Sequence, residues 1–329
     1  MRRNLIAVGG SAGALTPLRS LVLGLGKDAP VCVLVVIHVA RTAPSVLPEI
    51  LTRVGGLPAK HAADRDSLEP GKILVAPPNR HLLIQRKEVR LGHGPQENRH
   101  RPAIDPLFRS AARFAPSRTI GIVLSGLLDD GIAGASALRR AGGIVIVQAP
   151  SDAEFPQLPE SVIREGLADH VVGMKEMAAL VKRLMAEEVS QKAGMGAYDA
   201  TASENEPEIS AAVEVEALKE ELLGPPSALT CPDCHGALWE VHEGQLVRYE
   251  CRVAHRFSKA TLIEAQDDMI EESVLIAYRA LEEKAATLLR FAELARDAGL
   301  HAIAQEYELK RDDTLGRAET LRRALQAMT

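Results

Sequence analysis

Aromatic residues are scarce in this chain. Its 329 positions hold one Trp, four Tyr and five Phe, 3% in all. A core must therefore be filled by Leu, Val, Ile and Ala. No apolar run approaches the roughly 20 residues needed to span a bilayer, which argues against membrane insertion. There is no basic excess either. The 39 Lys and Arg against 44 Asp and Glu leave a formal net charge of -5, so electrostatics gives no case for a nucleic-acid partner. The opening MRRNLIAVGG has arginines before a short apolar stretch, but a Gly-rich turn follows at once. It is too short for a signal peptide, and a cytoplasmic protein is expected. Cysteine is also rare. Cys32 stands alone in an apolar run, while Cys231, Cys234 and Cys251 cluster. That is a poor disulfide framework and a good metal pattern.

What is present is a folded, soluble balance of 46% hydrophobic and 25% charged residues, in a chain long enough for two or three domains. Strands are expected at 5–8, 31–37, 72–76, 82–85, 119–124, 143–148 and 170–172. Most are apolar throughout, as parallel strands buried on both faces are. Helices are expected at 16–23, 46–54, 105–114, 131–141 and 175–188. The alternation predicts a doubly wound, mostly parallel α/β sheet with helices on both faces over 1–186, with ligands at the carboxyl ends of its strands. Residues 187–228 read as an acidic linker, disordered in part, with a short helix at 214–223 stopped by Gly224-Pro225-Pro226. A Cys-rich module at 229–257 follows. From 258 to 329 apolar residues recur at helical spacing, broken at Asp297-Ala298-Gly299, which predicts a helical hairpin.

Ser11 lies in Gly9-Gly10-Ser11-Ala12-Gly13, a match to G-x-S-x-G after an apolar strand. Three roles suit it: a nucleophile on a sharp strand-to-helix turn, part of a phosphate-binding loop, or a helix cap. A nucleophile needs a base and a carboxylate to orient that base. His38 ends the second strand, Val35-Val36-Ile37-His38. The segment SGLLDDGIAG at 125–134 follows another strand. The plain alternatives are a polar strand end for His38 and a helix cap for the aspartates. The order Ser, His, Asp differs from that of the α/β-hydrolases, so that fold is a poor match.

Several stretches together resemble the catalytic domain of the CheB family of chemotaxis protein-glutamate methylesterases. They are GGSAGA (9–14), VVIHVA (35–40), ILVAPPNRHLLI (73–84), RPAIDPLFRSAA (101–112), GIVLSGLLDDGIAGASALRRAGG (121–143) and QAPSDAEFPQLPESVI (148–163). The resemblance covers about 3–185. It implies Ser11 as nucleophile, His38 as general base and Asp130 as orienting carboxylate. An oxyanion hole would come from the N–H groups of Ala12 and Leu127. Relatives usually carry Thr where Ala12 stands, and Met-Gly where Leu127-Leu128 stand. The implied reaction is demethylation of glutamate methyl esters on chemoreceptor-like proteins, with glutamine deamidation as a side activity. Arg101, Arg109 and His81 are candidates for the substrate groove, Arg109 more as core support. The first strand begins at Leu5, so no receiver domain is expected ahead of it, nor control by aspartyl phosphate within the chain.

The Cys-rich module reads Cys231-Pro232-Asp233-Cys234, then Cys251 and His255. The spacing C-x2-C-x16-C-x3-H suits a tetrahedral structural Zn2+ in a small ribbon. A reduced dithiol, or His235 or His242 in place of His255, is the alternative. Strands at 238–241 and 246–251 flank Glu243-Gly244 as in a hairpin. The helical hairpin would dimerise, dock signalling partners, or pack only on its own chain. An active esterase is the leading expectation. A decayed adaptor acting through the zinc and helical parts is the second. A phosphate-binding protein is third, since neither G-x-G-x-x-G nor G-x-x-x-x-G-K-[ST] occurs.

Overall fold

A computed structural model of the chain describes residues 2–39, 45–189, 225–243 and 246–328. The helix expected at 214–223, most of the 187–228 linker and the turn at Gly244 lie outside the described residues. Two compact units emerge, Met1–Leu262 and Ile263–Thr329.

The first unit is built on a seven-stranded parallel sheet. Its strands are β1 (Leu5–Gly10), β2 (Cys32–Ile37), β3 (Ala59–His61), β4 (Lys72–Val75), β7 (Thr119–Val123), β8 (Ile144–Gln148) and β9 (His170–Val172), in the order β3-β4-β2-β1-β7-β8-β9. The inner strands are apolar because both faces are covered. Leu5 and Ala7 of β1, with Leu34 and Val36 of β2, enter one core. It is shared with α3 (Ile104–Phe114), α4 (Ile132–Arg140) and α5 (Gln157–Arg164). The alternate residues Ile6, Val8, Val33 and Val35 enter the other. That core is shared with α1 (Leu15–Leu25), α2 (Leu47–Arg53) and α6 (Met174–Ala186). Successive strand side chains point to opposite faces, so two helical layers are needed and both are supplied.

The chain winds outward from β1 to one edge, then returns to β7 on the other side of β1. The order therefore reverses beside β1, and the carboxyl ends of strands at such a switch point are where α/β sheets bind ligands.

Two expectations need correction. Segment 82–85 is a strand, but β5 (His81–Gln85) pairs antiparallel with β6 (Glu88–Gly92) in a separate two-stranded hairpin. Its place in the sheet is taken by β3, a three-residue edge strand too short and polar to show an apolar run. The helix α5 was also not expected, because LPESV breaks the pattern with Pro159; in the structure Pro159 sits in its first turn, where no N–H is required.

The Cys-rich segment belongs to this unit. It forms a three-stranded antiparallel sheet of β10 (Leu238–Glu243), β11 (Leu246–Cys251) and β12 (Arg256–Phe257). The second unit holds most of α7 (Lys259–Asp297) and all of α8 (His301–Met328). The expected break is there: Gly299 turns the chain at φ 74, a left-handed value that glycine adopts freely. Ala285, Ala292, Ala304 and Ala318 are buried, and the Phe291 and Tyr307 rings meet at 5.7 Å.

Candidate active site

Parallel register decides the site. Gly10 of β1 lies opposite Ile37 of β2, and Gly9 lies opposite Val123 of β7. The residues just beyond these strand ends therefore share one rim. Ser11 and His38 leave it directly, and Asp130 arrives on the loop after β7. His38 Nδ1 is 3.2 Å from Ser11 Oγ, and His38 Nε2 is 2.8 Å from Asp130 Oδ2. Both bonds are made when the ring proton sits on Nε2 and is donated to Asp130. Nδ1 is then free to accept the Ser11 proton.

The turn around Ser11 leaves no room for larger neighbours. A Cβ on Gly9 would lie 2.3 Å from Ile104 Cγ2, and one on Gly13, at φ 72, would lie 2.6 Å from Ser125 Oγ. Ser125 is fully buried and fixes the turn from beneath. Its hydroxyl donates to Ala12 O at 2.8 Å and accepts from Phe155 N at 2.9 Å, while its carbonyl accepts from Ser11 N at 2.9 Å. Ser11 does not cap α1: the N-cap is Ala14, with no side-chain bond.

Asp130 does act as a helix cap, but for a helix distant in sequence. Its Oδ2 accepts from Ile104 N at 2.6 Å and its Oδ1 from Asp105 N at 3.3 Å, both in the first turn of α3. Such N–H groups have no partner within a helix and favour an anion. Burial alone would raise the Asp130 carboxyl. The His38 bond and charge, with the Ile104 N–H, hold it below the ordinary carboxylate value. The neighbouring Asp105 is pushed up to about 7, first by burial and then by the charge of Asp130.

The N–H groups of Ser11 and Gly126 are engaged, by Ser125 O and Phe155 O. Among the described residues no acceptor takes the N–H of Ala12 or Leu127. Leu127 is 43% exposed and follows Gly126, on which a Cβ would lie 3.0 Å from Ser11 Cβ. Leu128 has φ 60, a left-handed backbone at which glycine is at ease.

The groove candidates resolve otherwise. His81 is buried and uses both ring nitrogens, to Pro95 O at 2.8 Å and Ala103 N at 3.3 Å. Arg109 is paired to buried Glu97 at 2.6 Å. Arg101 binds Asn79 Oδ1 and Gly94 O. These contacts give all three side chains a structural role, the one expected for Arg109. Two neighbours of the triad were not anticipated. His100 stacks on His38, with ring centroids 3.5 Å apart and planes at 15°. Burial, then the His38 charge, lowers it to about 4, so the ring stays neutral and adds no charge at neutral pH. Asn98 donates to Asp130 Oδ1 at 2.9 Å. Both lie in the loop before α3, where only their closeness to the RPAID stretch hinted at a role.

In the Cys-rich module, Cys231, Cys234, Cys251 and His255 place one ligand atom each within 4.8 Å of one another. His255 Nδ1 is 3.6 Å from Cys231 Sγ and 3.5 Å from Cys251 Sγ, and Cys234 and Cys251 sulfurs are 3.6 Å apart. Tetrahedral zinc, with Zn–S of about 2.3 Å and Zn–N of about 2.0 Å, sets such separations at about 3.8 and 3.6 Å. The four side chains fit a metal ion. His235 and His242 are not in the cluster; His242 pairs instead with Glu240 at 3.0 Å.

Ser11, His38 and Asp130 are thus hydrogen-bonded in series at the switch point of an α/β sheet, an arrangement that recurs in serine hydrolases on several folds. Residues 6–181 match the CheB methylesterase family, and the chain belongs to that family. A relative from Anaeromyxobacter dehalogenans, named protein-glutamate methylesterase/protein-glutamine glutaminase 5, is 36% identical over 183 residues, 54% of this chain and 50% of the relative. One of the same activity name from Methanosarcina acetivorans is 35% identical over 191 residues, 56% and 54% of the two chains. The chain spans about half the length of the curated relatives it matches. The crystal structure of the Thermotoga maritima CheB methylesterase catalytic domain superposes with a TM-score of 0.52 at 29% identity, covering 56% of this chain and 100% of that one. Among the described residues no helix is long and apolar enough to cross a membrane.

Proposed function

We propose that this protein is a serine hydrolase that demethylates glutamate methyl esters on chemoreceptor-like signalling proteins, and deamidates glutamine at the same site. The observation that carries this reading is the Ser11–His38–Asp130 chain of hydrogen bonds at the strand ends, in a member of this family. His38 Nδ1 takes the Ser11 proton as Oγ attacks the ester carbonyl carbon. The oxyanion accepts the free N–H groups of Ala12 and Leu127. The tetrahedral intermediate collapses, His38 returns the proton to the leaving oxygen, and methanol departs. Water then gives a proton to His38 and attacks the acyl-enzyme, releasing the glutamate carboxyl and restoring Ser11. With glutamine the same sequence releases ammonia.

The catalytic part is 1–186. The module at 229–257 holds a structural Zn2+ through Cys231, Cys234, Cys251 and His255, which would close its fold and supply no catalytic chemistry. The hairpin at 258–329 offers helical surface to signalling partners, and the protein works in the cytoplasm. The decisive experiment measures methanol release from a methylated receptor fragment by the full chain and by Ser11→Ala. The variant is expected to lose at least about three orders of magnitude. Equal release from both would overturn the mechanism, and release from neither would favour an adaptor.

A further inference from the structure

The Cys-rich module is joined to the catalytic part next to the triad. Backbone from 96 to 98 continues its small sheet: Glu97 bridges Arg256 in parallel, Asn98 N donates to Arg256 O at 2.8 Å, and Arg256 N donates to Gln96 O at 3.4 Å. Side chains reinforce the joint. Glu97 Oε1 receives Arg109 at 2.6 Å and Arg256 at 3.2 Å, all three largely shielded from water. Beyond β12, Ser258 caps α7: its hydroxyl accepts from Thr261 N at 3.1 Å and donates to Asp129 Oδ1 at 2.6 Å.

Asn98 links this joint to the triad. It is 3% exposed and held at φ 48, a left-handed backbone that asparagine tolerates. Its carbonyl oxygen accepts from Ser258 N at 3.0 Å and from the Thr261 hydroxyl at 3.3 Å. Its amide then has one orientation, with both N–H directions turned to the carboxylates. Nδ2 donates to Asp130 Oδ1 at 2.9 Å and to Asp105 Oδ2 at 3.1 Å. An amide turned the other way would set its carbonyl oxygen against the Asp130 carboxylate and its N–H groups against the Ser258 N–H. The turn that caps α7 thereby fixes which atom of Asn98 meets Asp130. The same short loop carries His100 against the His38 ring.

We propose that Asn98 is a positioning residue for the triad, and that the Cys-rich module, through the Ser258–Thr261 cap, holds it in place. The module is thus a brace for Asp130 and His38, so its integrity sets turnover. This rests on the esterase reading for its effect on rate; its effect on the Asp130–His38 bond does not.

The test uses the full chain and two variants. Asn98→Gly keeps the left-handed backbone and removes the amide. Ser258→Ala with Thr261→Val leaves Asn98 intact and weakens its hold. Asn98→Gly removes a hydrogen bond to a buried charge and should lower kcat by about tenfold to a hundredfold. The double variant should lower it by about threefold to tenfold, since the Ser258 N–H remains. KM should stay within about twofold in both. The low-field proton resonance of the His38–Asp130 bond should broaden or move in both, while thermal melts show a folded protein. A double variant with wild-type kcat and an unmoved resonance would overturn the brace, and so would losses confined to KM. Should wild type and Ser11→Ala release equal methanol, the esterase reading fails, and the resonance alone then decides the brace.

Discussion

The parallel sheet and the Cys-rich module each gather residues far apart in sequence, by opposite means. In the sheet, Ser11, His38 and Asp130 stand 27 and 92 residues apart. Two apolar layers and the strand register bring them to one rim, and the polar groups are passengers on that frame. In the module the frame is thin. Among the described residues Leu238, Trp239 and Phe257 are its buried large apolar side chains, and buried Cys231 and Cys251 belong to the Cys/His cluster itself. The cluster is the module's core. A lost polar group in the sheet should therefore change chemistry more than folding. A lost ligand in the module should change folding first.

The largest effect expected of this contrast is at Asp130. Asp130→Asn keeps the shape but offers His38 an amide where a carboxylate stood, favouring the wrong ring tautomer. Methanol release should fall by about 10⁴ in kcat, the scale such a change has in other triads, with the fold intact by circular dichroism. A fall of less than about tenfold would show that Asp130 is a cap for α3 and little more.

Next is the metal proposed for the module. Cys251→Ser, or a strong chelator, should remove about one equivalent of zinc, since the site closes only with all four ligands. Hydrogen exchange should then rise across 229–257 while β1, β2 and β7 keep their protection. Equal loosening of both regions would mean the sheet leans on the metal too. No change in either would mean the four side chains hold without an ion.

Legibility in the sequence divides along the same line. The sheet was readable because buried parallel strands are apolar throughout, and Ser11, His38 and Asp130 each follow such a run. The cluster of Cys231, Cys234, Cys251 and His255 was readable from spacing alone. What escaped were contacts set by tertiary approach. Asn98 and His100 lie in a loop with no periodicity, and Asn98 meets Ser258 across 160 residues. The strand Ala59–His61 escaped because three residues at a sheet edge need no apolar face. For Asp130 a cap on the helix after it was only the plain alternative; the fold shows that it caps α3.

A smaller effect concerns pH. His100 titrates near 4 in the folded chain and near 6.5 once unfolded. Above 6.5 both states are neutral and the ring contributes no pH dependence. As pH falls from 6.5 towards 4, the unfolded chain takes up a proton that the folded chain refuses, so stability declines. The full loss is on the order of 3 kcal/mol. Denaturant melts between pH 7 and 4 should show a shallower decline in His100→Gln than in wild type. Parallel declines would assign the acid sensitivity to other groups. The module's own acid response, through its ligands, should appear in zinc release instead, which keeps the two regions separable.

The smallest effect tests strain beside the site. Leu128 holds φ 60, where a side chain costs about 1–2 kcal/mol. Leu128→Ala and Leu128→Gly both remove the leucine's contacts, and they differ in whether the left-handed backbone is strained. Glycine is at ease there, although its unfolded chain is freer by about 0.5–1 kcal/mol. Leu128→Gly should therefore be more stable than Leu128→Ala by up to about 1 kcal/mol, the reverse of the order in a helix interior. Urea melts of the pair measure it. Ala254 at φ 66, next to the ligand His255, gives the matching case in the module: Ala254→Gly should gain a similar amount, provided the metal is in place to hold the turn. Alanine at or above glycine at both positions would mean that neither backbone is held left-handed, and that the triad loop and the metal turn settle without strain.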